Sequence, residues 1–187
     1  MDADRASELG LIRSAASGDL GAFSELVRLH RGRVLRTAAG ILGSTEEAED
    51  VAQQVFIRVW NHLGDYDPDG TFASWLYRIT VNLSIDALRK RRHEAPLDDE
   101  LHSTGQVDPE SQVLLHDERE RVRAAISRLP DRTRAALVLR EYEQLSYKEI
   151  AKVLKIPLGT VMSRLNYARR TLGELLEKEG TDRRATS

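Results

Sequence analysis

Apolar residues recur at spacings of three and four from one end of the chain to the other, and the elements they predict are helices. A short helix over residues 7–16 stops at Gly18. From Leu20, the residues Phe23, Leu26, Val27, Val34, Leu35, Ala38, Ile41 and Leu42 hold one face until Gly43, which suits a helix C-cap. His30 falls at the edge of that face and reads as a packing or surface residue. Ser44 and Glu47 have the spacing of a capping box and open the most regular helix of the chain. Its Ala48, Val51, Ala52, Val55, Phe56, Val59 and Leu63 face inward, while Glu46, Glu49, Asp50, Gln53, Gln54 and Arg58 face out. Thr71 caps a further stretch in which Phe72, Trp75, Leu76, Ile79 and Leu83 keep helical spacing. There the β-branched run Ile79, Thr80, Val81 ahead of Asn82 predicts a kink or short loop, with Ser84 capping a fresh helix that ends in the basic residues 89–92.

Helical spacing resumes with Leu115, Val122, Ile126 and Leu129 and stops at Pro130; a second helix follows from Asp131 with Ala135, Val138, Leu139 and Tyr142 on its inner face. Residues 145–172 then divide at Lys155-Ile156-Pro157 into two short helical patterns. Ser146 and Glu149 cap the first, on which Ile150, Ala151 and Leu154 share a face. Pro157 suits the first turn of the second, whose apolar stripe is Val161, Leu165, Ala168, Leu172 and Leu176. Two short helices meeting at a tight turn make a helix-turn-helix. At ~100° per residue, Gly159, Ser163, Asn166, Tyr167 and Arg170 lie opposite the stripe, and Thr160, Arg164 and Arg169 lie on its flanks. Long cations on the flanks suit phosphates, and small or polar residues between them suit base edges.

Charge sharpens this picture. The chain carries a net charge of −2, which argues against an all-round basic nucleic-acid binder, yet the charge is segregated. Residues 145–172 hold six lysines and arginines against the single acid Glu149. Residues 71–92 hold five, Arg78, Arg89, Lys90, Arg91 and Arg92, against Asp86. Aromatic and amide groups beside such a basic helix suit unstacked bases. Between the two, residues 96–120 hold eight acids and only Arg119, with Gly105 and Pro109 as breakers; the first part, about 95–111, reads as a flexible linker whose acidity keeps the chain soluble or mimics nucleic acid in a partner's basic channel. The expected organisation is all-α: an N-terminal helical domain over 1–94, a linker over 95–112, a C-terminal helix-turn-helix domain over 113–178 and a disordered tail over 179–187.

Several chemistries are excluded. The absence of cysteine removes disulfides, thiolate catalysis and Cys-based zinc sites. The five histidines, at 30, 62, 93, 102 and 116, lack metal-ligand spacing, and no triad or phosphate loop is present, so neither an enzyme nor a cofactor or metal is expected. Residues 65–70, DYDPDG, would open a calcium loop only with Glu at the twelfth position, which is Leu76; they read as a surface turn. No run spans a membrane and the polar N-terminus is no signal peptide, so a cytoplasmic location is expected.

The segments SELVRLHRGRVLRTA, AEDVAQQVFIRVW, FASWLYRITVNLSIDALRKRR and LSYKEIAKVLKIPLGTVMSRLNYARRTL, in this order over residues 11–176, resemble a bacterial RNA polymerase sigma factor of the extracytoplasmic-function type. The resemblance implies a protein that binds core RNA polymerase and directs it to promoters. AEDVAQQVF resembles the segment that docks on the polymerase clamp, which assigns Asp50, Gln53 and Gln54 to that interface; family members commonly carry glutamate where this chain has Gln54. Residues 75–92 resemble the part that opens the promoter and reads its −10 element, implying roles for Trp75, Arg78, Asn82, Arg89 and Lys90, with Asn82 at a flipped base. The helix from Pro157 resembles the −35 reader: Ser163, Asn166 and Tyr167 at base edges, and Thr160, Arg164, Arg169 and Arg170 at phosphates. Met162 and Tyr167 stand where the family often has a basic residue. The implied partners are core polymerase, promoter DNA and an anti-sigma factor, without membrane insertion or a small-molecule substrate. The competing reading is a stand-alone helix-turn-helix regulator, which accounts for residues 145–172 but not for the Asp50 patch or the basic stretch over 75–92.

Overall fold

Capping residues set the helix boundaries. In the computed structural model, which describes residues 2–67, 70–94 and 112–185, every regular element among the described residues is helical. Helix α1 spans Asp2–Ala16 and α2 spans Leu20–Leu42. Asp19 starts α2 by accepting from the amides of Gly21 and Ala22, at 2.8 and 3.1 Å. Gly43 ends it in the left-handed region, φ 75°, where a Cβ would be strained. Helix α3, Thr45–His62, is capped by Ser44, which accepts from the Glu47 amide. The Glu47 carboxylate accepts from Arg91 at 3.0 Å, tying α3 to α4. A 3₁₀ turn, Leu63–Asp65, leads to α4, Phe72–Glu94. Thr71 caps α4 by accepting from the Ser74 amide at 3.1 Å.

Helix α4 is continuous where the sequence predicts a kink at Asn82 and a new start at Ser84. The reason is burial. Ile79, Thr80, Val81 and Ser84 all lie inside the bundle, and Thr80 returns its hydroxyl to the Leu76 carbonyl at 2.8 Å. The weak helix propensity of three β-branched residues, a few tenths of a kcal/mol each, is outweighed by about 1.5–3 kcal/mol for each large apolar side chain removed from water.

Helices α1, α3 and α4 pack around α2, with Leu26, Val34, Ile41, Val55, Val59, Phe72 and Leu76 almost completely buried. Rings close one end: Phe72 meets His30 at 5.1 Å, Tyr66 at 5.5 Å and Trp75 at 5.8 Å between centroids. His30, only 3% exposed, bonds to the Glu8 carboxylate of α1 at 2.9 Å. Burial lowers its pKa, opposed by Glu8 and reinforced by Arg33.

The second group comprises α5, Gln112–Ser127, α6, Asp131–Glu141, α7, Tyr147–Leu154, and α8, Leu158–Ala185. Here α8 packs against α5, α6 and α7, burying Leu129, Leu139, Ile150, Val153, Val161, Leu165 and Ala168. Val122, placed on the inner face by its spacing, is 36% exposed, and Tyr142 is 44% exposed and turned toward α2. Helix α8 continues to Ala185, whereas the sequence predicts a disordered tail from 179. The predicted linker lies outside the described residues apart from Gln112, and so do Pro68 and Asp69 of the predicted turn.

The two groups touch. Helix α6 packs on α2 and α4, and α7 on α4, so their buried residues form one contiguous cluster.

Candidate nucleic-acid and polymerase interface

The C-terminal reading surface begins with a completed capping box. Ser146 accepts from the Glu149 amide at 3.3 Å, and Glu149 accepts from the Ser146 hydroxyl at 2.6 Å and from the Ser146 amide at 2.8 Å; the hydroxyl bond first, and then the amide bond, lower the Glu149 carboxyl pKa from its ordinary value. Lys155 turns the chain between α7 and α8 in the left-handed region, φ 51° and ψ 49°. With Val161, Leu165 and Ala168 locked inside, Ser163, Asn166, Tyr167 and Arg170 are exposed on the opposite side. Ser163 donates to the Thr160 carbonyl at 3.0 Å, and the Arg170 guanidinium lies 6.0 Å from the Tyr167 ring centre. Arg169 donates to the Tyr147 hydroxyl at 3.2 Å and pairs with Glu141 at 3.6 Å, so one flank is braced to α6 and α7. Thr160 and Arg164 are half-buried on the other flank. Arg164 is directed at the N-terminal bundle, where burial and then Arg132 lower its pKa.

The unbroken α4 changes how the predicted −10 residues relate. Trp75, Arg78, Asn82 and Arg89, at i, i+3, i+7 and i+14, fall on one stripe about 21 Å long at 1.5 Å per residue. Trp75 is half-buried, its ring tilted on Tyr66 at 5.5 Å, and Arg78 is half-buried with its Nε unpartnered among the described residues. Asn82 and Arg89 are exposed. Lys90 leaves the stripe, pairing with Glu94 at 3.7 Å on the side that faces α3.

The patch of Asp50, Gln53 and Gln54 is exposed and divided between two grooves. Gln54 faces a groove toward α4 beside Lys90, Gln53 faces one toward α2, and Asp50 borders both. The α2 groove has a volume of about 640 Å³ and is lined by Phe23, Val27, Phe56 and Trp60, with Leu20 at 67% and Ile57 at 55% exposure on its rim. Sequence reasoning placed Phe23, Val27 and Phe56 on inward faces and passed over Ile57 and Trp60, which fall between the helix faces, so the groove itself was missed. It likewise passed over Leu158, 41% exposed at the start of α8, where Met162 is 48% exposed. Among the described residues no cluster of His, Asp or Glu has a metal-binding arrangement, and no helix is long and apolar enough to cross a membrane.

An α-helical bundle with a basic stripe, linked to a helix-turn-helix bundle with an exposed reading face, defines a two-part DNA-binding protein. The sigma-70 region 2 family matches residues 26–94 and the sigma-70 region 4 family matches residues 119–172. The chain is 41% identical over 175 residues to the ECF RNA polymerase sigma factor SigE of Mycolicibacterium smegmatis, covering 89% of this chain and 67% of that one. It is 34% identical over 176 residues to the ECF RNA polymerase sigma factor SigW of Bacillus subtilis, covering 88% and 94%. Among solved structures, CnrH in complex with the cytosolic domain of CnrY superposes with a TM-score of 0.68 at 32% identity, covering 90% and 96%. The chain belongs to the extracytoplasmic-function sigma factors of the sigma-70 family and acts in directing transcription.

Proposed function

We propose that this chain binds core RNA polymerase through the grooves flanking Asp50 and reads promoters in two places, with α8 on −35 duplex and the α4 stripe on the melted −10 strand. The observation that carries the reading is the pair of rigid helical stripes. Each exposes functional side chains on one face, Asn82 and Arg89 on α4 and Ser163, Asn166, Tyr167 and Arg170 on α8, while the other face is locked in a core. In the major groove, Ser163, Asn166 and Tyr167 meet base edges while Thr160, Arg164, Arg169 and Arg170 hold phosphates. On α4, Asn82 receives an unstacked base, with Arg78, Arg89 and Trp75 alongside; Lys90, turned toward α3, reaches the strand only from its edge. Unstacking a base costs a few kcal/mol, and stacking or hydrogen bonding in a pocket returns about 1–3 kcal/mol per base. Docking on polymerase holds the two contacts together.

Asp50 and Gln53 supply polar contacts at the rim of the α2 groove, while Phe23, Phe56 and Trp60 supply the apolar floor for a partner helix. The chain contributes binding rather than bond chemistry, which core polymerase performs. It works in the cytoplasm, and an anti-sigma factor controls it, as the CnrH relative is found with the cytosolic domain of CnrY.

Gel filtration with bacterial core polymerase, followed by run-off transcription from a promoter library, tests the reading. Co-elution with new promoter-specific transcripts is expected. Failure to co-elute together with tight duplex binding by the protein alone would favour a stand-alone regulator.

A further inference from the structure

Two apolar side chains at the start of α8 stay in solvent. Leu158 and Met162 are 41% and 48% exposed, whereas Val161, Leu165 and Ala168 of the same helix are fully enclosed. Neither belongs to the buried cluster, although Leu154, Ile156 and Leu172 around them pack against it. Contact between the two helical groups leaves them uncovered as well. That contact runs through Glu143, which accepts from the Tyr77 hydroxyl at 2.6 Å and from Arg36 at 3.3 and 3.4 Å, and through the Tyr142 ring, which lies on Gly40. Leu154, Ile156 and Arg164 line the cleft beside α4; Leu158 and Met162 do not.

Their place on the helix indicates what they would meet. Steps of four residues give a row of Leu158, Met162, Asn166 and Arg170 beside a second row of Gly159, Ser163 and Tyr167, and all of these are exposed. In a helix-turn-helix the N-terminal residues of the second helix contact base edges, so Leu158 and Met162 stand at reading positions. Gly159 beside them has open space where a Cβ would stand, so nothing on that side holds a duplex away. Cations surround the pair: Lys152 and Lys155 precede it, Arg169 and Arg170 follow it, and all four are exposed. An apolar centre inside a basic frame fits a groove walled by phosphates. The thymine C5 methyl is the apolar feature that this groove presents. Against guanine or adenine, leucine or methionine would strip water from N7 and from O6 or N6 without replacing the hydrogen bonds; against thymine it buries a methyl. Leu158 and Met162 lie about 6 Å apart along the axis, room for two neighbouring base pairs at about 3.4 Å per step.

We propose that Leu158 and Met162 are specificity-determining residues that read thymine methyl groups on neighbouring base pairs of the −35 duplex, beside the polar readout by Ser163 and Asn166. The inference rests on the sigma reading above and adds to it a preference for thymine, and against guanine, at those base pairs. Neither side chain can neutralise a phosphate, so this part of α8 contributes discrimination without charge.

Holoenzyme formed from the full chain and core polymerase, offered promoters randomised at −35, is expected to select thymine on neighbouring base pairs. In the selected promoter, deoxyuridine at those positions removes only the methyl group and keeps the pairing. Holoenzyme affinity should fall about fourfold for each methyl removed. With Met162→Ala the fall at one of the two positions should shrink to less than about twofold while preferences elsewhere persist, and Leu158→Ala should do the same at the other position. Met162→Lys should lose the same discrimination and steepen the fall of log affinity with log salt by about 0.9, the signature of one added phosphate contact. Equal affinity for thymine and uracil promoters, uracil sensitivity that survives both alanine variants, or an unchanged salt slope for Met162→Lys overturns the inference. A dimer of the free chain that Met162→Ala dissolves would make the pair an interface between copies, and overturns it too. Selection of a −35 sequence without methyl sensitivity overturns this inference alone. Holoenzyme that selects no −35 sequence and makes no promoter-specific transcript overturns the sigma reading, and this inference with it.

Discussion

Replacing Arg134 by Met keeps most of the side-chain volume and removes the guanidinium, which makes it a direct test of what holds the two bundles. Arg134 is 5% exposed and lacks a carboxylate within ion-pair distance among the described residues; it donates instead to the carbonyls of Ile41, Leu129 and Ser127, the first two at 2.8 and 3.2 Å. These carbonyls sit at the ends of α2 and α5, where the helix dipoles favour a cation. Burial lowers the pKa of the group, so enclosing the charge has a cost. A hydrogen bond from a charged donor contributes about 1.5–3 kcal/mol, so three contribute about 4.5–9 kcal/mol gross. Relief of the desolvation penalty in the Met variant returns several kcal/mol. The expected net loss is about 2–4 kcal/mol, because the orphaned carbonyls of Leu129 and Ser127 stay buried while the Ile41 carbonyl regains water if the bundles part. Urea unfolding followed by circular dichroism should show the midpoint falling by about 1–2 M for a slope of about 1–3 kcal/mol/M. Arg134→Lys, with one ammonium for three acceptors, should fall between. A Met variant as stable as the wild type would refute the idea that Arg134 is held by the helix ends, and would mean that the guanidinium is tolerated rather than required.

Ser146→Ala breaks the capping box of α7 and should cost the C-terminal bundle about 1 kcal/mol, seen as earlier unfolding, with Glu149 returning toward an ordinary carboxyl pKa in an NMR titration. Asn82→Ala and Arg89→Ala should each lower open-promoter formation roughly 5- to 100-fold by permanganate footprinting while leaving −35 duplex affinity unchanged; equal losses in both assays would contradict the division of labour. Asp50→Lys is expected to weaken core-polymerase affinity about tenfold, about 1.4 kcal/mol, in a competition assay, and unchanged affinity would move the docking surface elsewhere. His30 is buried with a folded pKa below its ordinary 6.5, so its contribution to stability is complete above pH 6.5 and declines as the pH falls through 6.5 toward the folded value. His30→Gln should flatten that part of the melting-temperature profile, and an unchanged slope would show that the histidine is not its source.

Much of the fold was legible because it depends on local spacing. Asp19 apart, the caps at Gly43, Ser44, Thr71 and Ser146 are short-range hydrogen-bonding devices that the residue order specifies, and the buried stripe of α8 follows from the helical period. The same is true of the outward position of Ser163, Asn166 and Tyr167, since locking Val161 and Leu165 inside leaves no other orientation. The kink at Asn82 was misread because a propensity argument is local, whereas Ile79, Thr80, Val81 and Ser84 are held by contacts with α2 and α3 that no window of sequence contains. The apolar groove beside Asp50 was invisible for a related reason: Leu20 and Phe56 become neighbours only when α2 and α3 pack side by side.

The sequence by itself determined the helices, their faces, the segregation of basic and acidic charge and the family to which the chain belongs, because all of these are carried by residue order along single elements. Only the tertiary structure decided that Glu143 meets Tyr77, that Arg134 meets the end of α2 and that Tyr142 rests on Gly40. These contacts join residues 66 or more positions apart, and they depend on the relative placement of the two helical groups. No periodicity encodes that placement; it is set by complementary surfaces, a glycine where a ring must approach and a carboxylate where two donors converge.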